Sequence, residues 1–137
     1  MTRQDTQGLV LTGATEAAAI YYEAAVANLQ CYRGDPVAQV DAAIEAAPGF
    51  AMAHALKAWL HLLGTEPSGL PVARAAYAEA AAAAGTSRER GHVAAIGHLI
   101  EGRWHAAGRV LEDVTIDAPL DALGLLAGHQ IDFFTGH

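Results

Sequence analysis

The sequence has a single cysteine, Cys31, so it has no pair of thiols that could form an internal disulfide. A chain without disulfides is typical of the reducing cytoplasm. The polar residues 1–5 lead into no apolar run of the length that a secretory signal peptide needs. We therefore expect a cytoplasmic protein. We interpret Cys31 as a packed thiol rather than a nucleophile, because no histidine lies on its predicted helix.

Long apolar runs and basic residues are also scarce. No run approaches the roughly 18 to 20 apolar residues that a membrane-spanning helix requires, and the alanine run at residues 80–84 is far too short. The chain carries 8 basic and 15 acidic residues, which give a net charge of −7. Binding to nucleic acid or to an anionic membrane needs a basic surface. We therefore predict neither kind of binding, and a neutral or basic partner suits the chain better.

Signals for β-structure are missing as well. There is no alternating apolar and polar run, and neither Asn-Gly nor Asp-Gly occurs as a hairpin turn. Hydrophobic residues make up 53% of the chain and many are alanine, which has the highest helix propensity and a small side chain. We predict an all-α fold of about seven closely packed helices, preceded by an extended arm at residues 1–14. In that arm Leu9, Val10 and Leu11 are expected to pack against the first helices.

Residues 86–118 have the pattern of two helices joined by a tight turn at Gly102. The segment resembles a tetratricopeptide repeat, a helix-turn-helix unit of about 34 residues in which small and large apolar positions alternate. The matching positions are Ala95, Gly102, Trp104, Ala107, Leu111 and Pro119. The alternative is an ordinary antiparallel helical hairpin with a glycine turn.

A more divergent unit precedes this repeat at residues 50–85, with Ala58 about one repeat period before Ala95. Residues 15–47 form a still more divergent pair, in which Asp35 and Pro36 are a cap and first residue for the second helix. Thr12 or Thr15 is expected to cap the first helix, and Thr86 or Ser87 the fifth. The predicted architecture is therefore antiparallel pairs at 15–47, 50–85 and 86–118, followed by an unpaired helix at 120–134, stacked as a short tetratricopeptide-like right-handed solenoid.

The predicted helix at residues 120–134 is apolar along one face. That face carries Leu120, Leu123, Ala127, Ile131 and Phe134. A terminal repeat needs a polar outer face, so we expect this helix to be covered by sequence that continues a longer protein or by a second copy in a homodimer.

Three motifs resemble the N-terminal portion of the tetratricopeptide repeat protein 38 family. They are residues 8–17 ahead of a tyrosine-rich helix, residues 41–54 with the stretch Pro48-Gly49-Phe50, and residues 119–136 with Gly128-His129-Gln130. The resemblance implies a repeat protein that is longer than this chain. It also implies protein or peptide binding on a concave face, and it gives no reaction to carry over residue by residue.

Two sets of polar residues are candidates for a binding site. His54, Lys57 and His61 share one side of the third helix, and we interpret them as a polar strip that faces a ligand, or alternatively as a solvated helix face. His129 and Asp132 are three residues apart on the last helix, and either contribute to a site or form a local hydrogen bond.

No catalytic or metal-binding motif is found in the sequence. His92, His98, Glu101 and His105 are close in sequence, but no His-Glu-x-x-His pattern joins them, and we predict neither a metal nor a cofactor. The leading hypothesis is a non-catalytic helical-repeat scaffold that binds a protein or peptide. The alternatives are part of an enzyme or small-molecule-binding protein completed by a second subunit or by further repeats, and a structural self-associating unit.

Overall fold

The computed structural model of the protein describes residues 3–5, 8–31, 35–64 and 67–135. This part of the chain contains seven α-helices, which confirms the all-α prediction. The helices are α1 (Glu16–Cys31), α2 (Pro36–Ala46), α3 (Ala51–Leu63), α4 (Leu70–Ala83), α5 (Ser87–Ile100), α6 (Trp104–Asp117) and α7 (Ala122–Thr135). A short 3₁₀ helix, Pro67–Gly69, precedes α4, and two strands, β1 (Arg3–Gln4) and β2 (Val10–Leu11), precede α1. None of the described helices is long and apolar enough to cross a membrane.

The starts of three helices follow from local sequence. Thr15 Oγ1 accepts a hydrogen bond from the Ala18 amide at 3.2 Å at the start of α1. Asp35 caps α2 through the Ala38 amide at 3.0 Å, with proline as the next residue. Thr86 caps α5 in a reciprocal capping box with Glu89. These caps confirm the predicted ones, because side-chain oxygens satisfy amides that have no partner within the helix.

Consecutive helices pack in pairs, and the pairs pack on one another. α1 contacts α2, α3 contacts α4, and α5 contacts α6, while α2 with α3 and α4 with α5 join neighbouring pairs. Small residues make the close approaches possible: a Cβ atom at Gly91 of α5 would lie 2.3 Å from Val114 of α6. Ala58, Ala95 and Ala107, three of the predicted small positions, are fully buried. The close approach of α5 and α6 at Gly91 therefore depends on the absence of a side chain there.

The last helix departs from the predicted organisation. α7 begins at Ala122 rather than near Leu120, and besides α6 it contacts α1 and α3. Its apolar residues Leu123, Ala127 and Ile131 are buried within the chain. The expectation that further sequence or a second copy covers these three residues is therefore wrong. Leu120 is exposed in the preceding turn. The side chains of Phe133 and Phe134 lie outside the described residues.

The N-terminal arm is a small antiparallel hairpin, which was not predicted. Arg3 pairs with Leu11, and Gln4 pairs with Val10. Leu11 is fully buried, as predicted, while Leu9 and Val10 are partly buried. The chain then passes tightly over the start of α3: a Cβ at Gly13, where φ is +80°, would lie 1.9 Å from the Gly49 carbonyl oxygen. Only glycine permits that approach and that backbone conformation.

Candidate functional site

The predicted polar strip on α3 is not a continuous exposed surface. His54 is 7% exposed, and its Nε2 lies 2.7 Å from the Pro48 carbonyl oxygen, to which it donates. Lys57 Nζ forms an ion pair with Asp41 Oδ1 at 2.8 Å, and His61 is partly buried. The interpretation of His54 as part of an exposed strip is therefore wrong, because its ring holds the turn between α2 and α3.

The second predicted pair lies on a surface depression. His129 and Asp132 are both exposed on α7. They line a groove of about 250 Å³ between α6 and α7, which we call the α6–α7 groove; Gly108, Glu112, Leu125 and Gly128 also line it. A second depression of about 220 Å³, which includes Trp104 and Ile131, continues it and shares Gly108, Glu112 and Asp132.

The corner between α6 and α7 exposes three large apolar side chains within ten residues. Ile116 is 75% exposed, Leu120 59% and Leu125 52%. Acidic residues surround them in sequence, and Glu112, Asp113 and Asp117 are all exposed. Of the three, Leu125 lines the α6–α7 groove together with the acidic Glu112. An exposed apolar side chain in a groove is typical of an interaction surface.

A buried polar network lies on the other side of the same turn, around Asp121. The carboxylate is fully buried and accepts four hydrogen bonds. Arg88 donates from Nε at 2.9 Å and from Nη2 at 3.0 Å, His92 Nε2 lies 2.6 Å away, and the Gly124 amide donates at 3.1 Å. Asp121 thereby caps α7 and joins it to α5.

The contacts within this network determine the protonation states of Asp121 and Arg88. Burial on its own would raise the pKa of the Asp121 carboxyl, but hydrogen bonds from His92 and Arg88 outweigh burial and hold that pKa well below 3.8. Burial would likewise lower the pKa of Arg88, and the Asp121 carboxylate reverses that effect. Arg88 and Asp121 are therefore a charged, buried ion pair.

His92 is held from both sides in one tautomer. The Trp59 indole N–H donates to Nδ1 at 3.0 Å, so Nδ1 is the acceptor and the ring proton is on Nε2, which donates to Asp121. All three side chains are fully buried. An Asp–His pair acts as a catalytic dyad when the second imidazole nitrogen faces a nucleophile or a substrate. Here the second nitrogen, Nδ1, accepts from the Trp59 indole N–H, and the indole nitrogen has no lone pair with which to act as a nucleophile. His92 therefore connects α3, α5 and the turn before α7.

A second buried acid ties the arm to α5. Glu89 Oε2 accepts from the Thr12 amide at 2.9 Å. Glu89 Oε1 accepts from the amides of Gly85 at 2.9 Å and Thr86 at 3.1 Å. Each carboxylate oxygen thus satisfies backbone donors that are otherwise without helix partners, and the role of Glu89 is structural.

The histidines considered for metal binding are separated by the fold. His92 lies in the core network, whereas His98 Nδ1 accepts a hydrogen bond from Arg103 Nε at 3.0 Å near the turn between α5 and α6. Within residues 3–5, 8–31, 35–64 and 67–135, no group of three or more histidine, cysteine or acidic side chains is placed to hold a metal ion. The side chain of Cys31 is outside the described part.

The Asp121 network was not predicted from the sequence. Its members are 29 and 33 residues apart along the chain, so no local spacing connects them. One signal was available: an aspartate follows Pro119-Leu120 and precedes Gly124 by three residues, which is an N-cap pattern. It would have placed the start of α7 correctly, although not the partners of the carboxylate.

In comparisons with known proteins, no family model and no solved structure matches the chain. The resemblance to the tetratricopeptide repeat protein 38 family thus depends on the sequence motifs alone.

Proposed function

We propose that the protein is a non-catalytic, cytoplasmic helical-repeat scaffold that binds a basic, amphipathic helical segment of a partner protein in the α6–α7 groove. We further propose that its helix pairs form a short tetratricopeptide-like right-handed solenoid. The packing order of α1 through α6 in successive pairs supports that arrangement. The single observation that carries the binding proposal is the α6–α7 groove itself, which is lined by the exposed apolar side chain of Leu125 and by the acidic side chains of Glu112 and Asp132.

The position of α7 favours this groove over the predicted surface on α3. In a helical-repeat stack, extended concave surfaces bind ligands, and α1, α3 and α5 are the first helices of the three pairs. Because α7 contacts both α1 and α3, it covers part of the surface that these helices would offer. His54 and Lys57 form a hydrogen bond and an ion pair within the chain, so fewer polar groups on that surface are available to a ligand.

The shape and charge of the groove indicate the chemistry of the partner. Gly108 and Gly128 contribute no side chains beyond Cα, so a helix can approach closely. Glu112 and Asp132 line both depressions, and Asp113 and Asp117 are exposed nearby. A helix with an apolar stripe and lysine or arginine along its edges complements this surface.

A labelled model peptide tests the proposal. The probe is a helix of about five turns with leucine at i, i+3, i+4 and i+7 and lysine elsewhere, and fluorescence anisotropy measures its dissociation constant. A peptide of the same composition in scrambled order and a peptide with glutamate for lysine are the comparisons. We expect the ordered basic peptide to bind and the other two to bind far more weakly.

Matched variants show whether the bound peptide lies in the proposed groove. Leu125→Ser should weaken binding about tenfold or more, because burying a leucine side chain contributes about 1.5–3 kcal/mol. Ile20→Ser is the control, since Ile20 is also an exposed apolar residue, 63% exposed, but lies on α1. The proposal would be overturned if both variants lost affinity equally or if the scrambled peptide bound as tightly as the ordered one. It would also be overturned if the protein formed a stable dimer that Leu125→Ser dissociates, because a second copy would then occupy the groove.

A further inference from the structure

Two guanidinium groups line one cavity of this acidic chain. The cavity lies between α4 and α5, reaches the turn before α6 and has a volume of about 490 Å³; we call it the α4–α5 cavity. Arg74 and Tyr77 line it from α4, Gly97 and His98 line it from α5, and Arg103 lines it from the turn. The cavity therefore carries positive groups, although the net charge of the chain is −7.

The N–H groups of both guanidiniums are accessible to a ligand. Arg74 and Arg103 are exposed. Among the described residues, neither forms an ion pair with an acid, whereas three other basic side chains and one histidine do. An arginine whose N–H groups have no carboxylate partner can bind a planar or tetrahedral oxyanion through two parallel hydrogen bonds.

Arg103 is held in place by His98. Its backbone amide donates to the His98 carbonyl oxygen at 2.8 Å, and its Nε donates to His98 Nδ1 at 3.0 Å. Nη1 and Nη2 are left for a ligand, and a side chain that is already positioned loses less conformational freedom on binding. Because Nδ1 accepts, the neutral His98 ring carries its proton on Nε2, which is a further donor.

The charges of the cavity favour a dianion. Among the described residues that line it, Glu101 alone is a carboxylate, and it counts in full because no ion pair compensates it. Two guanidiniums and one carboxylate give the lining a charge of +1. Arg90 is exposed and lies one turn before Ala94 on the same face of α5, so it adds a positive charge nearby. A phosphomonoester, with about −1.5 to −2 charges at neutral pH and three accepting oxygens, matches this balance better than a carboxylate.

The rest of the cavity suits a ligand with hydroxyl groups. Small-molecule sites have volumes of about 300–1,000 Å³, and a phosphate group alone leaves much of 490 Å³ unfilled. The Tyr77 hydroxyl lies against α5, since a Cβ at Gly97 would lie 3.1 Å from its oxygen. This hydroxyl and the Glu101 carboxylate both accept hydrogen bonds, so they offer partners to hydroxyl groups of the ligand.

We propose that the α4–α5 cavity binds a small sugar phosphate, whose phosphate accepts hydrogen bonds from Arg74 and Arg103 and whose hydroxyl groups pair with Glu101 and Tyr77. The site is independent of the peptide surface on α6 and α7, and no bond is made or broken in it. A phosphoserine side chain shares the phosphate chemistry but lacks the sugar hydroxyl groups, so the two sources of a phosphomonoester can be distinguished.

Four probes separate the parts of the proposed ligand: glucose 6-phosphate, inorganic phosphate, glucuronate and a short phosphoserine peptide. Glucuronate replaces the phosphate by a carboxylate, and inorganic phosphate lacks the sugar. Binding is followed by NMR of ¹⁵N-labelled protein at the Gly97 amide and at Arg103 Nε–H, which donates to His98. The Gly128 amide, in the α6–α7 groove, is the internal control. We expect a dissociation constant for glucose 6-phosphate on the order of 0.1–10 mM.

The expected result is a saturable shift with glucose 6-phosphate at Gly97 and Arg103, no shift at Gly128, and weaker binding of the other three probes. Arg74→Gln should weaken the binding of glucose 6-phosphate about five- to tenfold. This loss lies between that of a screened surface ion pair and that of a buried charged hydrogen bond. Arg109→Gln is the matched control, because Arg109 is an exposed arginine on α6 that lines a different depression.

Glu101→Ala tests the recognition of the sugar separately. It removes a negative charge and an acceptor, so inorganic phosphate should bind more tightly while the preference for glucose 6-phosphate over inorganic phosphate falls. An unchanged preference would contradict the pairing of the sugar with Glu101 and overturn the proposal in that form.

Four further outcomes would overturn the proposal. Glucuronate or inorganic phosphate binding as tightly as glucose 6-phosphate would make the cavity a general anion site. Tighter binding of the phosphoserine peptide would assign the phosphate to a protein partner. Equal losses in Arg74→Gln and Arg109→Gln would mean that only overall charge matters. No saturable shift with any probe would mean that the cavity holds only solvent. Thermal melts of the variants without probe separate a binding effect from a loss of fold.

Discussion

Replacing Asp121 by alanine should be among the most destabilising single changes in this chain. The substitution removes the acceptor of four hydrogen bonds and leaves Arg88 charged, 9% exposed and without its counterion. Removing one partner of a buried ion pair costs about 3–5 kcal/mol. The total free energy of unfolding of a domain is typically about 5–15 kcal/mol, so a large part of the stability would be lost.

Urea unfolding followed by circular dichroism measures this effect. With a dependence of about 2 kcal/mol per molar urea, a loss of about 4 kcal/mol lowers the midpoint by about 2 M. Asp113→Ala is the control, because Asp113 is an exposed acid on α6 and such surface changes are usually within about 0.5 kcal/mol. A loss below about 1 kcal/mol for Asp121→Ala would refute the reasoning, since it would mean that the buried pair contributes little.

A double variant separates the cost of a stranded charge from the value of the ion pair. Arg88→Met combined with Asp121→Asn removes both charges and keeps an oxygen that can accept from the Gly124 amide. Replacing both members of a buried pair costs much less than removing one. We therefore expect the double variant to be more stable than Asp121→Ala, and the opposite order would indicate that the pair itself is strongly stabilising.

Four further predictions concern the pH dependence of Asp121, two glycines in the packed helices and the buried Glu89. Because folding lowers the pKa of Asp121, the ionised carboxylate contributes its full stability at neutral pH, and this contribution is lost as the pH falls below 3.8 towards the pKa of the folded state. The difference in urea midpoint between wild type and Asp121→Asn should therefore shrink over that pH range. Gly91→Ala should destabilise by about 1–2 kcal/mol, because the new Cβ would meet Val114 at 2.3 Å. Gly128→Ala should instead stabilise by about 0.5–1 kcal/mol, because its Cβ would meet only Leu111, at 3.9 Å. Glu89→Gln should lower the free energy of unfolding by about 1–3 kcal/mol and speed proteolysis of the N-terminal arm. Both oxygens of Glu89 accept hydrogen bonds from backbone amides, whereas glutamine has only one oxygen that can accept.

Each of these predictions has a contrary result. A constant difference between wild type and Asp121→Asn down to acid pH would mean that Asp121 is not the group that titrates. The two glycine variants control one another in thermal melts, and the reverse order of their melting temperatures would contradict the packing of α5 on α6. Unchanged proteolysis of the arm in Glu89→Gln would show that Leu11 alone holds it.

Short-range sequence patterns predicted the helices well but carry no information about long-range contacts. The caps at Asp35 and Thr86 were predictable because a side chain within three residues satisfies the first free amides of a helix. The N-terminal hairpin has no such signal, since its two strands are only two residues long. The apolar stripe of α7 predicted burial, but its spacing carries no information about which helices cover it.

The candidate site was predictable only in part. His129 and Asp132 do line a groove, whereas His54 is buried on the Pro48 carbonyl, which the spacing of α3 did not reveal. Arg88 and Tyr22 are 66 positions apart in the chain, so no local spacing predicts that they line one cavity.

The hydrogen bond from the Thr12 amide to Glu89 also fixes an order of events during synthesis. The two residues are 77 positions apart, and a ribosome adding about 5–20 residues per second needs roughly 4–15 s to cover that distance. Throughout that interval the N-terminal arm has been made but its main polar partner has not. The arm is thus synthesised well before the residue that secures it, and a translational pause before residue 89 would prolong the time during which the arm is unprotected.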